Sequence, residues 1–306
     1  MKTWMTLAGL LLLSGTLGAR PQEAPLAVVV RVSGDVRIQP GGGDPVPAAV
    51  GARLAAGDRI VPQGGEATIV HRTGRTETVK EALTLAPPDA GEREDGLFQR
   101  TTRVLAQAAR TDARGNPNRQ GMIRPIPGEP VLVMPRNGIP VMDPRPTFVW
   151  AAVEGASGYT IQIRRESGGA PVRYRLGADT VWTLPPDAPP LLPGERYAWT
   201  VAPSGGRPTR EQSFSVIGPA DYGIVSRNLI ALTRTGLDPA SDGLLVAAAV
   251  YRQAGLLYEA LSALRALEAS GAPLSADVYN LEGEILDALG RLDEARRAFD
   301  RADAAR

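Results

Sequence analysis

At Pro219 the spacing of apolar residues in this 306-residue chain changes from two to near 3.6, and no single layer of secondary structure satisfies both periods. Upstream, short alternating runs are separated by Pro, Gly and Asp clusters, the pattern of antiparallel strands. Downstream, helical spacing runs on with few breakers. The chain is therefore expected to be multidomain, with all-β modules followed by an all-α module. The helical part also repeats itself. Leu244, Ala248, Tyr251, Gly255, Ala260, Leu264 and Leu267 correspond, at a constant offset of 35, to Tyr279, Gly283, Leu286, Gly290, Ala295, Phe299 and Ala302. Two helical hairpins are expected, over 242–270 and 275–304, with a further helix over 221–235 before them. Small Ala248, Gly283, Ala260 and Ala295 would let paired helices approach, while Tyr251, Leu286 and Phe299 fill the gaps.

The amino end has the layout of a secretory signal: Lys2, an apolar block at 7–13, then small residues at 14–19. Cleavage is expected after Ala19, with Gly18 and Ala24 as alternatives. No second apolar run approaches spanning length, so no transmembrane helix is expected after cleavage, and the chain is read as periplasmic or extracellular. Cysteine is absent, which excludes disulfides, thiolate catalysis and Cys-ligated metals. The division expected is a signal peptide at 1–19, a β module at 20–95, an Arg-rich linker at 96–128, a sandwich at 129–218 and a helical domain at 219–306.

In the first module, residues 26–32 with Val36 and Ile38 predict a hairpin turning at Ser33-Gly34-Asp35. The Gly41-Gly42-Gly43 loop leads to prolines and not to a helix, so it reads as a hairpin loop and not as a phosphate cradle. Strands follow at 67–70 and 76–79 around a turn at Gly74. The run Gly51-Ala52-Arg53-Leu54-Ala55-Ala56-Gly57-Asp58-Arg59-Ile60, followed by that hairpin, resembles the FecR-type periplasmic β domain over about 26–86, and the resemblance implies Leu54 and Ile60 in a small core. Signalling members of that family use an adjoining membrane helix, which has no counterpart here, so that role is not carried over.

The linker carries Arg100, Arg103, Arg110, Arg114, Arg119 and Arg124, and residues 96–130 hold 6 basic groups against 2 acidic. A helix is expected over 97–109, with Leu97, Val104, Leu105 and Ala108 partly on one face, ending before Gly115-Asn116-Pro117. Two readings stand: a solvated linker, or attraction to an anionic polymer or membrane surface. Nucleic acid is not expected, because Phe98 alone is available for stacking.

Seven short strands between 131 and 216 indicate a sandwich. Trp150 suits the space between two sheets, and Tyr197 is placed to bond back onto the preceding turn. Pro146 to Trp150, Gly158 to Ile163 and Leu192 to Val201 carry a resemblance to the fibronectin type III (Ig-like) domain over about 129–217, which implies a spacer or docking unit. Trp150, Tyr159, Trp182, Tyr197 and Trp199 could pack the core or stack on sugars.

The repeat positions, and above all residues 288–299, resemble the tetratricopeptide (TPR) repeat. The resemblance implies a stack that binds peptides or partner helices on the face of the first helix of each hairpin. By helical phase that face offers Arg252, Asn280, Glu284 and Asp287. The family's pattern has a Leu where this chain has Glu282.

A lone His71 beside a turn, no G-x-S-x-G, no H-E-x-x-H and no Walker loop leave no catalytic residues, metal ligands or cofactor site to nominate. The expectation is a non-enzymatic envelope scaffold or adaptor holding a protein partner through the TPR-like helices. The alternative is a cell-wall or polysaccharide binder using the basic linker and the sandwich aromatics. The partner and the oligomeric state are not legible.

Overall fold

The computed structural model describes residues 25–41, 43–86, 96–108, 128–234, 236–241 and 243–306. The expected leader, and Arg110, Arg114, Arg119 and Arg124 with the Gly115-Asn116-Pro117 stop, lie outside the described residues.

The first strands are β1 (Ala27–Ser33), β2 (Val36–Gln39), β3 (Val46–Pro47), β4 (Arg53–Leu54), β5 (Arg59–Pro62), β6 (Glu66–His71), β7 (Thr76–Val79) and β8 (Leu83–Thr84). They form two four-stranded sheets, ordered β4-β1-β6-β7 and β3-β2-β5-β8. Leu54 and Ile60 are buried between them. The hairpin of β6 and β7 around Gly74 is present, as is that of β2 and β3 around the Gly-rich loop. The hairpin expected for β1 and β2 is not. The two strands are consecutive but belong to different sheets, because both edges of β1 are taken by β4 and β6 and both edges of β2 by β3 and β5. The four consecutive buried residues of β1, Ala27 to Val30, show that both faces of the strand are covered, since a strand alternates only when one of its faces is wet.

A helix, α1 (Gly96–Ala108), precedes a second β unit of β9 (Leu132–Met134), β10 (Pro140–Val141), β11 (Thr147–Trp150), β12 (Tyr159–Arg165), β13 (Val172–Leu176), β14 (Val181–Thr183), β15 (Arg196–Pro203) and β16 (Gln212–Val216). Its five-stranded sheet, β10-β16-β15-β12-β13, faces a three-stranded one, β14-β11-β9. Between them lies a core of its own, including Phe148, Trp150, Ile161, Trp199 and Phe214. The Tyr197 hydroxyl accepts the Leu192 N–H at 2.7 Å, the back-bond that its place in the strand predicts. Tyr197→Phe leaves that part-buried N–H without its acceptor and should lower stability by about 1–2 kcal/mol in urea unfolding. An unchanged midpoint would show that water replaces the phenol at no cost.

The remaining helices are α2 (Pro219–Arg234), α3 (Leu244–Gln253), α4 (Leu257–Ala269), α5 (Ala276–Ala288) and α6 (Leu292–Ala304). Helices α3 and α4 pack as one hairpin, α5 and α6 as the next. Gly283 sits where a Cβ would come within 2.6 Å of the Phe299 ring, so the close approach of α5 to α6 depends on the missing side chain. Among the described residues no helix is long and apolar enough to cross a membrane.

The modules are not strung apart. One core joins the first β unit, α1 and the helices and takes in Ile139 and Ile217 of the sandwich, and polar bonds reinforce each seam. Val50 pairs with Leu274 in a parallel bridge: its N–H donates to Pro273 O at 2.8 Å and its carbonyl accepts the Ser275 N–H at 2.9 Å. Arg53 and Asp277 pair across the same seam at 3.0 Å. On the sandwich side, the Arg136 N–H donates to the Tyr258 hydroxyl at 2.8 Å, and its guanidinium donates to the Leu289 carbonyl at 2.6 Å. The spacer role implied by the sandwich resemblance meets a module clamped against α4 and α5.

Candidate functional site

Helix α1 lies against α3 and α5, the first helix of each hairpin. Its buried residues are Phe98, Thr101, Val104, Leu105 and Ala108, a stripe of three-and-four spacing that turns one face inward. Arg103 on the other side is exposed and Arg100 is partly so. This part of the expected linker is therefore neither solvated nor a free cationic arm. It is a core helix, because the stripe finds an apolar receiving surface in the hairpins. Of the expected stripe, Val104, Leu105 and Ala108 are buried and the Leu97 side chain lies outside the described residues, while Phe98 and Thr101 were missed. The spacing 98, 101, 105, 108 was the available signal, masked by the density of arginines.

The four residues expected to present an open face are thereby placed under or beside another helix. Arg252 on α3 and Glu284 on α5 come together as an ion pair at 3.9 Å, their side chains 31% and 11% exposed. Asn280, one turn before Glu284, is only 2% exposed, and among the described residues its Nδ2 has no hydrogen-bond partner. Asp287, one turn further along α5, keeps part of its surface in water. Of the set, Arg252 and Glu284 are joined, Asp287 is reachable, and Asn280 is withdrawn from any partner while α1 is in place.

The far side of α5 explains the departure at Glu282. This carboxylate is buried and receives the Arg301 guanidinium at 2.7 Å, while Arg301 also pairs with Glu268 and lies 4.9 Å from the centre of the Tyr279 ring. A cleft of about 490 Å³ opens here, lined by Arg265, Glu268, Glu282, Glu294 and Arg301 among others. Two of its guanidiniums are engaged: Arg265 holds Glu294 at 2.8 Å and Arg301 holds Glu282 and Glu268. The arrangement ties α4, α5 and α6 together.

Burial pushes the Glu259 carboxyl above its ordinary pKa, opposed by the Met142 N–H that it accepts at 2.8 Å. A group whose folded pKa is raised stabilises the fold when protonated, and that contribution is lost as pH rises through the folded value. Glu259→Gln keeps an acceptor for Met142 and removes the charge. Its stability relative to the native chain should therefore improve as pH rises from the ordinary carboxylate range through the folded value and then level off, read from urea midpoints, and a pH-independent difference would sink the assignment.

His71 sits in a part-buried surface cluster, with Nε2 2.8 Å from Glu77 Oε2 and Arg75 alongside. Among the described residues no group of three or more His, Cys, Asp or Glu could hold a metal ion. In the sandwich, Trp150, Tyr159, Tyr197 and Trp199 are buried, and Trp182 alone of the expected aromatic set is partly exposed, packed on Tyr174 at 4.6 Å.

No family model matches the chain, and no curated protein matches it. Solved structures that are similar include the first to third fibronectin domains of chicken CNTN1, at 13% identity with a TM-score of 0.23, covering 61% of this chain and 56% of that one. A two-domain fibronectin type III segment of chicken tenascin is 12% identical with a TM-score of 0.21, covering 62% and 92%. The fibronectin(III)-like modules of CbhA from Clostridium thermocellum are 9% identical with a TM-score of 0.21, covering 61% and 78%. The chain thus spans little more than half of the CNTN1 segment. At these TM-scores the β-sandwich stands on its own strand pairing.

Proposed function

We propose that this chain is a non-enzymatic scaffold of the bacterial cell envelope, exported by its leader, in which TPR-like hairpins hold a protein partner and FecR-like and fibronectin-like modules serve as docking units. One observation carries the reading: the surface formed by α3 and α5 already receives an amphipathic helix, α1, along a stripe of five buried residues. Surfaces of that kind recognise helices by anchors at three-and-four spacing. The modules packed around the hairpins would position that surface, which replaces the idea of flexible reach.

The cell-wall or polysaccharide alternative has less behind it. Four of its five sandwich aromatics are buried, and Arg100 and Arg103 are carried on a docked helix.

Photo-crosslinking in intact cells tests the proposal. A photoreactive residue replacing Arg252 or Asp287 should trap the same protein chain, and one replacing exposed Arg173 on β13 should not. Trapping no greater at 252 and 287 than at 173 would remove the helical stack from the mechanism.

A further inference from the structure

We infer that α1 is a tethered stand-in for the helix of a partner, and that the surface formed by α3 and α5 exchanges α1 for a basic amphipathic helix carrying the same stripe. The inference rests on the proposed function and names the chemistry of its partner.

Three observations bear on it. The first is the marginal intrinsic stability of α1. It has 13 residues, no acidic side chain in its first turn, no basic one in its last and adjacent threonines at 101 and 102. A helix so short is marginal in water, so folding of α1 and its docking form one event. The second is charge. Residues 96–108 contain Arg100 and Arg103 and no acid, while residues 219–306 hold 13 acidic groups against 9 basic; Glu284 on the receiving helix is already paired with Arg252, so the attraction is that of the whole helical domain's excess of negative charge. A basic helix therefore suits this surface better than a neutral or acidic one. The third is the incomplete match: with α1 in place, the Nδ2 of buried Asn280, on the same face of α5 as Glu284 and Asp287, has no acceptor among the described residues. An incoming helix that supplies one would gain what the tethered helix forgoes.

Exchange has a calculable handicap. A tethered helix competes at an effective concentration in the millimolar range for a short connection, so a free helix of equal intrinsic affinity binds more weakly by the fraction of time that the surface is vacant. Weakening α1 without touching the surface must therefore tighten binding from outside, and strengthening it must do the opposite.

The half-exposed Thr102 allows this, because its hydroxyl bonds only within its own helix, to the Phe98 carbonyl at 2.9 Å and the Gln99 carbonyl at 3.2 Å. The probe is a labelled, amidated peptide of residues 96–108, titrated by fluorescence anisotropy into the full chain. Glycine and alanine at a helix interior differ by about 1 kcal/mol, close to a fivefold change in an equilibrium constant. The Thr102→Gly chain should accordingly bind the peptide up to about fivefold more tightly than the Thr102→Ala chain. A peptide carrying Leu105→Asp should not bind, and raising the salt concentration should weaken the native peptide. Equal affinity for both chains, or equal binding of the stripe-broken peptide, would overturn the inference. No binding to either chain would mean that α1 is a fixed part of the core, while crosslinks from Asp287 in cells would still uphold the scaffold reading. Loss of those crosslinks would instead remove that reading itself.

Discussion

Gly51→Ala should cost the fold about 3 kcal/mol or more and open the seam between the first β unit and the helices. Gly51 has φ of 87°, a conformation that L side chains rarely adopt, and a Cβ there would stand 2.7 Å from Ser275 Oγ and collide with Val278 Cγ2. Strain and overpacking therefore add at one position, beside the Val50 bridge and the Arg53 to Asp277 pair. Gly57→Ala is the control. Its φ of 81° carries the same backbone strain, but nothing lies within 4 Å of its Cβ, so it should cost about 1–2 kcal/mol. Adding Val278→Ala to Gly51→Ala should recover part of the loss by removing the colliding methyl. Far-UV circular dichroism in urea reads all three chains, and equal costs at 51 and 57 would show that the seam yields without resistance.

Phe148→Ala should cost about 3–5 kcal/mol and strike the sandwich alone. The ring is fully buried, with centroids at 5.0 Å from Trp199, 5.7 Å from Trp182 and 5.8 Å from Phe214. Apart from Trp4 in the expected leader, every tryptophan of the chain, 150, 182 and 199, lies in this module. Their fluorescence consequently reports the sandwich, while the helical ellipticity near 222 nm reports the other core. In Phe148→Ala the fluorescence midpoint should fall well below the ellipticity midpoint. If the two fall together, the bonds of Arg136 to Tyr258 and Leu289 couple both cores into a single cooperative unit.

Much of the architecture was readable wherever a local rule carries it. The 35-residue offset marks two hairpins because each repeat position has the same neighbour in its own pair, as Gly283 has Phe299. Tyr197 was readable because its partner, Leu192, lies five residues away. The errors all concern which element meets which. Val28, Val29 and Val30 are buried together because sheet and helix both cover β1, and the helical cover comes from α1 and from α3, whose sequence begins more than 200 residues later. The same distance hid the site. Asn280, Glu284 and Asp287 share a face of α5 by phase, but nothing within their own repeat announces that residues 96–108 will lie across α3 and α5. Burial of Thr101 at the centre of the stripe, and the arginines around it, disguised a core helix as a connector.

The route by which the chain assembles follows from that same crossing of α1 over α3 and α5. The largest hydrophobic cluster draws on residues from Ala27 to Ala298, so nearly the whole length must be present before it can close. Contacts of such long sequence separation delay the entropic return on folding and slow its completion. A nascent chain that has not yet delivered residues 244–288 leaves β1 without the cover of α3. It therefore stays pliable until synthesis is almost finished, and it is most exposed to proteases and to clumping in that interval.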